Sequence, residues 1–274
     1  MNTTSANGGN PMERTTARQA CTVLYKTLPP LNAAQSRIIL GTMVGECLVE
    51  WAMIKVASAP MVGGVAQFGP HRIAMIALDA PVRPEVLAHT VAVSPMPEEQ
   101  RQGLMGHGAA IRLLYLGDAP APLEQLTALY QVGCMLLLQA EGLGMLNEHA
   151  ALAVPTKLVF SLMPALGSRT PPMSLWVGAV TFDMGERLYL VRTYGMHQME
   201  LPELAIYIKE RAEADAAYHT LMNMGLYMAE GSTDRKIGKG DRADFKGHAY
   251  LLTDPQEEGP EYSGELGLLL LVEV

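Results

Sequence analysis

The sequence predicts an α+β protein of tandem strand–helix–strand subdomains, in which helices cover mixed sheets. Three observations lead there. Short segments with apolar residues alternating at period two recur along the chain. Longer segments carrying an apolar stripe at helical spacing lie between them. At least one pair of strand segments is joined by a turn tight enough for a hairpin, which a purely parallel doubly wound sheet does not use.

Residues 1–19 are rich in Thr, Asn and Gly without periodicity and are expected to form a disordered tail. Residues 20–274 are expected to fold as one unit with three pseudo-repeated subdomains, about 20–105, 106–172 and 173–274. In the first, 22–27 reads as a strand, 33–51 as a helix, and 62–68 and 72–78 as strands. In the second, 109–116 is a strand. Asp118 and Pro120 open a helix over 122–139, with Leu123, Leu126, Leu129, Tyr130, Gly133 and Leu137 on one stripe. A strand region follows at 143–154. In the third, 179–182 and 188–193 pair across a turn at Met184, Gly185 and Glu186. A helix over 212–230 places Tyr218, Leu221, Met222, Gly225 and Met228 on one face, and strands at 247–253 and 266–272 close the chain. The last is Leu-rich on both alternating faces, which suits a strand covered on two sides. The first two units share an order of strand, Pro-containing loop, helix and small-residue strand. The only linker candidate between units is the short stretch 169–173.

Residues 188–204 hold the densest combination of polar groups and special backbone residues. Leu188, Leu190 and Arg192 alternate with Tyr189, Val191 and Thr193, and one charge among six residues reads as a central strand. Gly195 can take positive φ and turn the chain out of the sheet. Pro202 and Glu203 then suit the first turn of a helix. Arg192, Tyr194, Gly195, His197 and Glu203 are the candidate binding residues here. Arg192 on a strand built for burial needs a counter-charge, and Glu203 is the acid that follows the turn. A second local cluster is Asn147, Glu148 and His149. On a strand Glu148 and His149 would point to opposite faces, so a shared role requires a turn.

Composition excludes several functions. A net charge of −8, with a single basic run at 235–242 diluted by Asp234 and Asp241, argues against nucleic-acid binding. No apolar run reaches 18 residues, so no membrane insertion is expected, and the polar N-terminus carries no signal core. Three cysteines without Cys-x-x-Cys spacing imply neither a disulfide framework nor a zinc knuckle, which suits a cytoplasmic setting. Gly142-Leu-Gly-Met-Leu-Asn147 lacks the third glycine of a dinucleotide fingerprint and follows a helix instead of a strand. No phosphate loop, nucleophile elbow or histidine pair at metal-binding spacing is present, so no cofactor, metal or catalytic set is expected. Eighteen methionines against four phenylalanines suit an adaptable core.

Arg192-Thr-Tyr-Gly-Met-His-Gln198 with Leu201-Pro-Glu-Leu204 resembles the signature of domain-of-unknown-function family 4261. Gly108–Gly117 and the Lys239–Arg242 stretch with the strand after it fit the same order of elements, over roughly residues 20–255. The Thr-x-Gly-Met core is also similar, more faintly, to the Suppressor-of-Fused family. The resemblance implies a bacterial immunity, adaptor or chaperone-like protein that binds another protein, such as a secreted toxin or a secretion component. The alternative expectation is an enzyme or small-ligand binder using Arg192, His197 and Glu203 with Glu148 and His149 nearby. A concave pocket collecting those residues would favour the enzyme, and an apolar surface patch would favour the binding module.

Overall fold

The computed structural model describes residues 19–55, 60–168, 170–230, 238–245, 247–255 and 264–274. Residues 1–18 of the expected tail 1–19, Arg169 of the expected linker and residues 235–237 of the basic run lie outside them. Gln19 does not belong to a tail: it is buried, and its carbonyl accepts the Tyr115 amide at 2.9 Å.

The architecture is α+β with two sheets. The first contains β1 (Ala20–Tyr25), β2 (Leu48–Lys55), β3 (Pro60–Phe68), β4 (His71–Leu78), β5 (Ala109–Tyr115), β6 (Gly144–Asn147) and β7 (Leu152–Pro155). They are ordered β2-β3-β4-β5-β1-β6-β7, and every neighbouring pair is antiparallel. The helices that follow its strands are α1 (Ala33–Val44), α2 (Pro84–Val93), α3 (Glu98–Met105), α4 (Pro122–Gln139) and α5 (Thr156–Leu162). The second sheet contains β8 (Gly178–Gly185), β9 (Leu188–Tyr194), β10 (Glu203–Ile208), β11 (Arg242–Phe245), β12 (His248–Thr253) and β13 (Leu268–Glu273). Their order is β11-β12-β13-β10-β9-β8, with β10 and β13 parallel. The remaining helix, α6 (Ala214–Ala229), packs on β9 and β10.

Alternation explains how each sheet is covered. In β1, Cys21, Val23 and Tyr25 join the main core with α4, while Leu24 points to the other face and meets Leu87 and Val91 of α2 and Leu104 of α3. In β13, Leu269 and Leu271 join the main core, and Leu268 and Leu270 line the opposite face with Leu190 and Ala205. The main core contains residues of both sheets, with Trp176 fully buried among them. Met173 and Met196 close on α6 at Gly225, where an added Cβ would sit 3.1 Å from the Met196 sulfur. All three cysteines are free thiols.

The boundary expected near 105–106 runs through the first sheet, and that near 172–173 falls between the sheets. β1 and β5 lie side by side, antiparallel, at the centre of the first sheet. β6, which follows the second unit's helix, pairs with β1, and β4 of the first unit pairs with β5. Each unit therefore completes the other's sheet.

Three expectations are corrected. The helix expected over 33–51 stops at Val44, because Gly45 adopts φ 80° and its amide closes on Gly41 O at 3.0 Å. Residues 48–55 then pair along β3 as an edge strand. The helices α2, α3 and α5 were not anticipated. They are short, and α3 and α5 each bury a single side chain, Leu104 and Val159, so little periodicity marks them. Finally, no helix starts at Pro202. Glu203 opens β10, its amide bonds Gly267 O at 3.0 Å, and the strand is held between β9 and β13. Tertiary pairing prevails over the local helix-start pattern because both edges of this segment find strand partners.

Candidate functional site

The site forms where the β9–β10 connection meets the β6–β7 connection. β9 ends at Tyr194, and Gly195 takes φ 107°. A Cβ at Gly195 would lie 2.6 Å from Trp176 O and 2.7 Å from Ala150 Cβ, so glycine is required by both conformation and contact. A single 3-10 turn (Met196–Met199) follows, and Glu200 at φ 59° reverses the chain into β10. This brings Glu203 back over the glycine. Its Oε1 accepts the Gly195 amide at 3.0 Å and its Oε2 accepts the Thr193 hydroxyl at 2.7 Å. The Thr193 oxygen in turn accepts the Leu204 amide at 2.8 Å.

His197 Nδ1 lies 3.3 Å from Glu203 Oε1. An ionised carboxylate only accepts, so Nδ1 carries the proton in this contact. His197 Nε2 is buried with no hydrogen-bond partner among the described residues.

The first sheet supplies the other half. Asn147 ends β6 and caps a 3-10 turn over Glu148–Ala150 by accepting the Ala150 amide at 3.3 Å. That turn supplies the break in the strand that a joint role of Glu148 and His149 requires. It sets the His149 ring edge-to-face against His197, with centroids 5.9 Å apart and planes at 63°. Glu148 pairs with Arg112 of β5 at 3.6 Å. Below the rings a buried amide network joins the sheets. Asn147 Nδ2 donates to Gln198 Oε1 at 3.1 Å, Gln198 Nε2 donates to Trp176 O at 3.1 Å, and Gln19 Nε2 donates to Gln198 O.

The two imidazoles are tuned in opposite directions. The hydrogen bond to Glu203 raises the His197 pKa above the ordinary histidine value, against burial, which lowers it. Burial lowers the His149 pKa, and the neighbouring His197 charge adds to this; Glu148 and Glu265 act the other way.

Of the residues expected from sequence, the fold brings together Gly195, His197, Glu203, Glu148 and His149. Arg192 and Tyr194 face each other instead, with the guanidinium carbon 4.2 Å from the ring centroid. The expected Arg192–Glu203 pair does not form, because Glu203 is taken up by Thr193, Gly195 and His197. Among the described residues Arg192 has no ion pair, and its buried Nε has no hydrogen-bond partner. Sequence reasoning missed Thr193, Gln198, Arg112 and Glu265; Asn147 belonged to the expected Asn147-Glu148-His149 cluster. Thr193 and Gln198 sit inside the motif itself and could have been marked as polar residues in an apolar stretch. No local signal brings Arg112 or Glu265 to the site.

The arrangement is poor in reactive chemistry. The Thr193 hydroxyl is committed to Glu203, not offered to His197. Burial pushes the Cys134 thiol up to about 12 and raises that of Cys21 further, which leaves both as inert thiols. Among the described residues no group of three or more His, Cys, Asp or Glu could hold a metal ion. Two surface depressions lie elsewhere. One of about 570 Å³ is lined by 184–188 with Lys209 and Glu210, and one of about 620 Å³ by Lys26, 137–143, Thr156 and Phe160. No helix of the described residues is long and apolar enough to cross a membrane.

Comparisons with protein-family models, curated proteins and solved structures returned no match for this chain.

Proposed function

We propose that this protein is a non-catalytic binding module whose ligand is another protein. The observation that carries the reading is the closure of the His197–Glu203 pair. His197, oriented by Glu203, has its remaining ring nitrogen buried, and neither depression described above includes it. General acid–base work needs that nitrogen within reach of a substrate. The pair closes the β9–β10 turn of the second sheet and sets the His197 ring against His149 of the first. Exposed apolar side chains occur instead on α1 (Ile38) and on the edge strand β2 (Leu48, Met53 and Ile54), with Met53 64% exposed. An open strand edge with apolar side chains is a surface on which a partner strand can add.

The finer assignment is an immunity, adaptor or chaperone-like protein acting on a secreted toxin or secretion component in the cytoplasm. It rests on the resemblance of residues 192–198 and 201–204 to the families named above. The test is capture of partners from the native host by the wild-type chain, a Met53→Asp/Ile54→Lys double variant and His197→Asn. Loss of a specific partner with the β2 variant and its retention with His197→Asn supports the reading. Loss of the cellular phenotype with His197→Asn, while fold and partner capture persist, overturns it in favour of an enzyme.

A further inference from the structure

We infer that His149 and His197 form a one-proton latch between the two sheets, tightest when the pair carries a single charge and looser when it carries none or two. The geometry comes first. Each ring sits on a turn between two strands of its own sheet, and the two turns also approach at the Ala150–Gly195 and Asn147–Gln198 contacts. His197 can accept a proton because Glu203 of the same sheet faces its Nδ1, and a charge-assisted bond, shorter and stronger than a neutral one, holds the His197 ring more firmly in the position where it meets His149 across the sheets. A second proton must then go to His149, whose ring centroid is 5.9 Å from an imidazolium in a half-buried site. The other charges facing the pair are Glu148 on the same turn as His149, Arg112 from β5 and Glu265 ahead of β13. Glu148 and Glu265 are the anions that favour a second proton on His149, and Arg112, 3.6 Å from Glu148, works against it. Burial and the first charge oppose it.

The pH window follows from the two directions. The His197 pKa in the folded protein lies above its unfolded value. Its contribution is therefore complete below about 6.5 and fades as pH rises through the folded value. The His149 pKa lies below its unfolded value. Its contribution is intact above about 6.5 and is lost as pH falls toward the folded value. Contact between the sheets is strongest in between. His71 and His107 also have lowered pKa values and add their own acid sensitivity, so local and not global readouts are needed.

The test uses the full chain. Imidazole titrations are followed by NMR, with exchange of the Gly195 and Ala150 amides measured from pH 5 to 8 and corrected for intrinsic rates. The expected result is a bell-shaped protection profile, with the His197 midpoint above and the His149 midpoint below the ordinary value. In His197→Asn, which keeps a donor toward Glu203, the alkaline limb should vanish and the His149 midpoint should rise. In His149→Phe the acid limb should vanish. Flat protection across the range, or a His149 midpoint unmoved by His197→Asn, overturns the latch. If His197→Asn does not fold, persistence of the acid limb in His149→Phe overturns it by itself.

Discussion

Thr193 and Glu203 clasp the ends of β9 and β10 reciprocally: the Thr193 hydroxyl donates to Oε2 at 2.7 Å, and its oxygen accepts the Leu204 amide at 2.8 Å. Both side chains are buried. Thr193→Val keeps the shape but leaves one carboxylate oxygen and one buried amide without this partner. The expected loss is about 2–4 kcal/mol, from one to two unsatisfied buried groups. Denaturant unfolding measures it, and a loss below about 0.5 kcal/mol would mean that the clasp does not hold the turn.

Arg192 lies over the Tyr194 ring with no ion pair among the described residues. Its value is then stacking and the packing of its stem, not charge pairing. Arg192→Met should therefore cost no more than about 1 kcal/mol, and Arg192→Ala somewhat more. Breaking a buried ion pair would cost about 3–5 kcal/mol. A loss of that size in the methionine variant would show that Arg192 has a carboxylate partner after all.

The β8–β9 hairpin turns through Gly185, Glu186 and Arg187, at φ 82°, 51° and 61°. Two-residue hairpin turns with positive φ at both central positions favour Asn and Gly, and a side chain there costs about 1 kcal/mol or more. Both residues are exposed, so nothing else is lost on replacement. Glu186→Asn/Arg187→Gly should raise stability by about 1 kcal/mol, read as a higher melting temperature. An unchanged or lower value would show that the tip makes contacts worth more than the strain.

His107 is buried and uses both ring nitrogens. Nε2 accepts the Val82 amide at 2.8 Å, and Nδ1 meets Leu104 O at 3.1 Å, so the neutral Nδ1–H tautomer fits both. Burial lowers its pKa, with the Leu104 bond acting the other way. Because the folded value lies below the unfolded one, its contribution is present above about 6.5 and is lost as pH falls toward the folded value. His107→Gln should flatten part of the decline in melting temperature between pH 6.5 and 5. An unchanged slope would place that decline on other groups.

Elements with strong local pattern could be read from the residues. The stripe of α4 and the alternation of β4, β5 and β9 each reflect a face that must be buried whatever lies against it, so the spacing alone defines them. The Leu-rich run of β13 announced two covered faces for the same reason. Gly195 was legible too, because positive φ has few residues that accept it. The segment after Pro202 could not be read this way. Leu-Pro-Glu starts a helix as readily as it enters a strand, and only the pairing of β10 with β9 and β13 decides between them. The partner of Glu203 was undecidable for a related reason. Arg192, Thr193 and His197 all precede it on the same strand and turn, eleven, ten and six residues away. Which of them reaches the carboxylate depends on the angle of the Gly195 turn, fixed by packing against Trp176 and Ala150. His149, 48 positions from His197 in the chain, meets it only because the two sheets share a core. Local pattern determined what each segment buries, and long-range packing determined which polar groups were left facing one another.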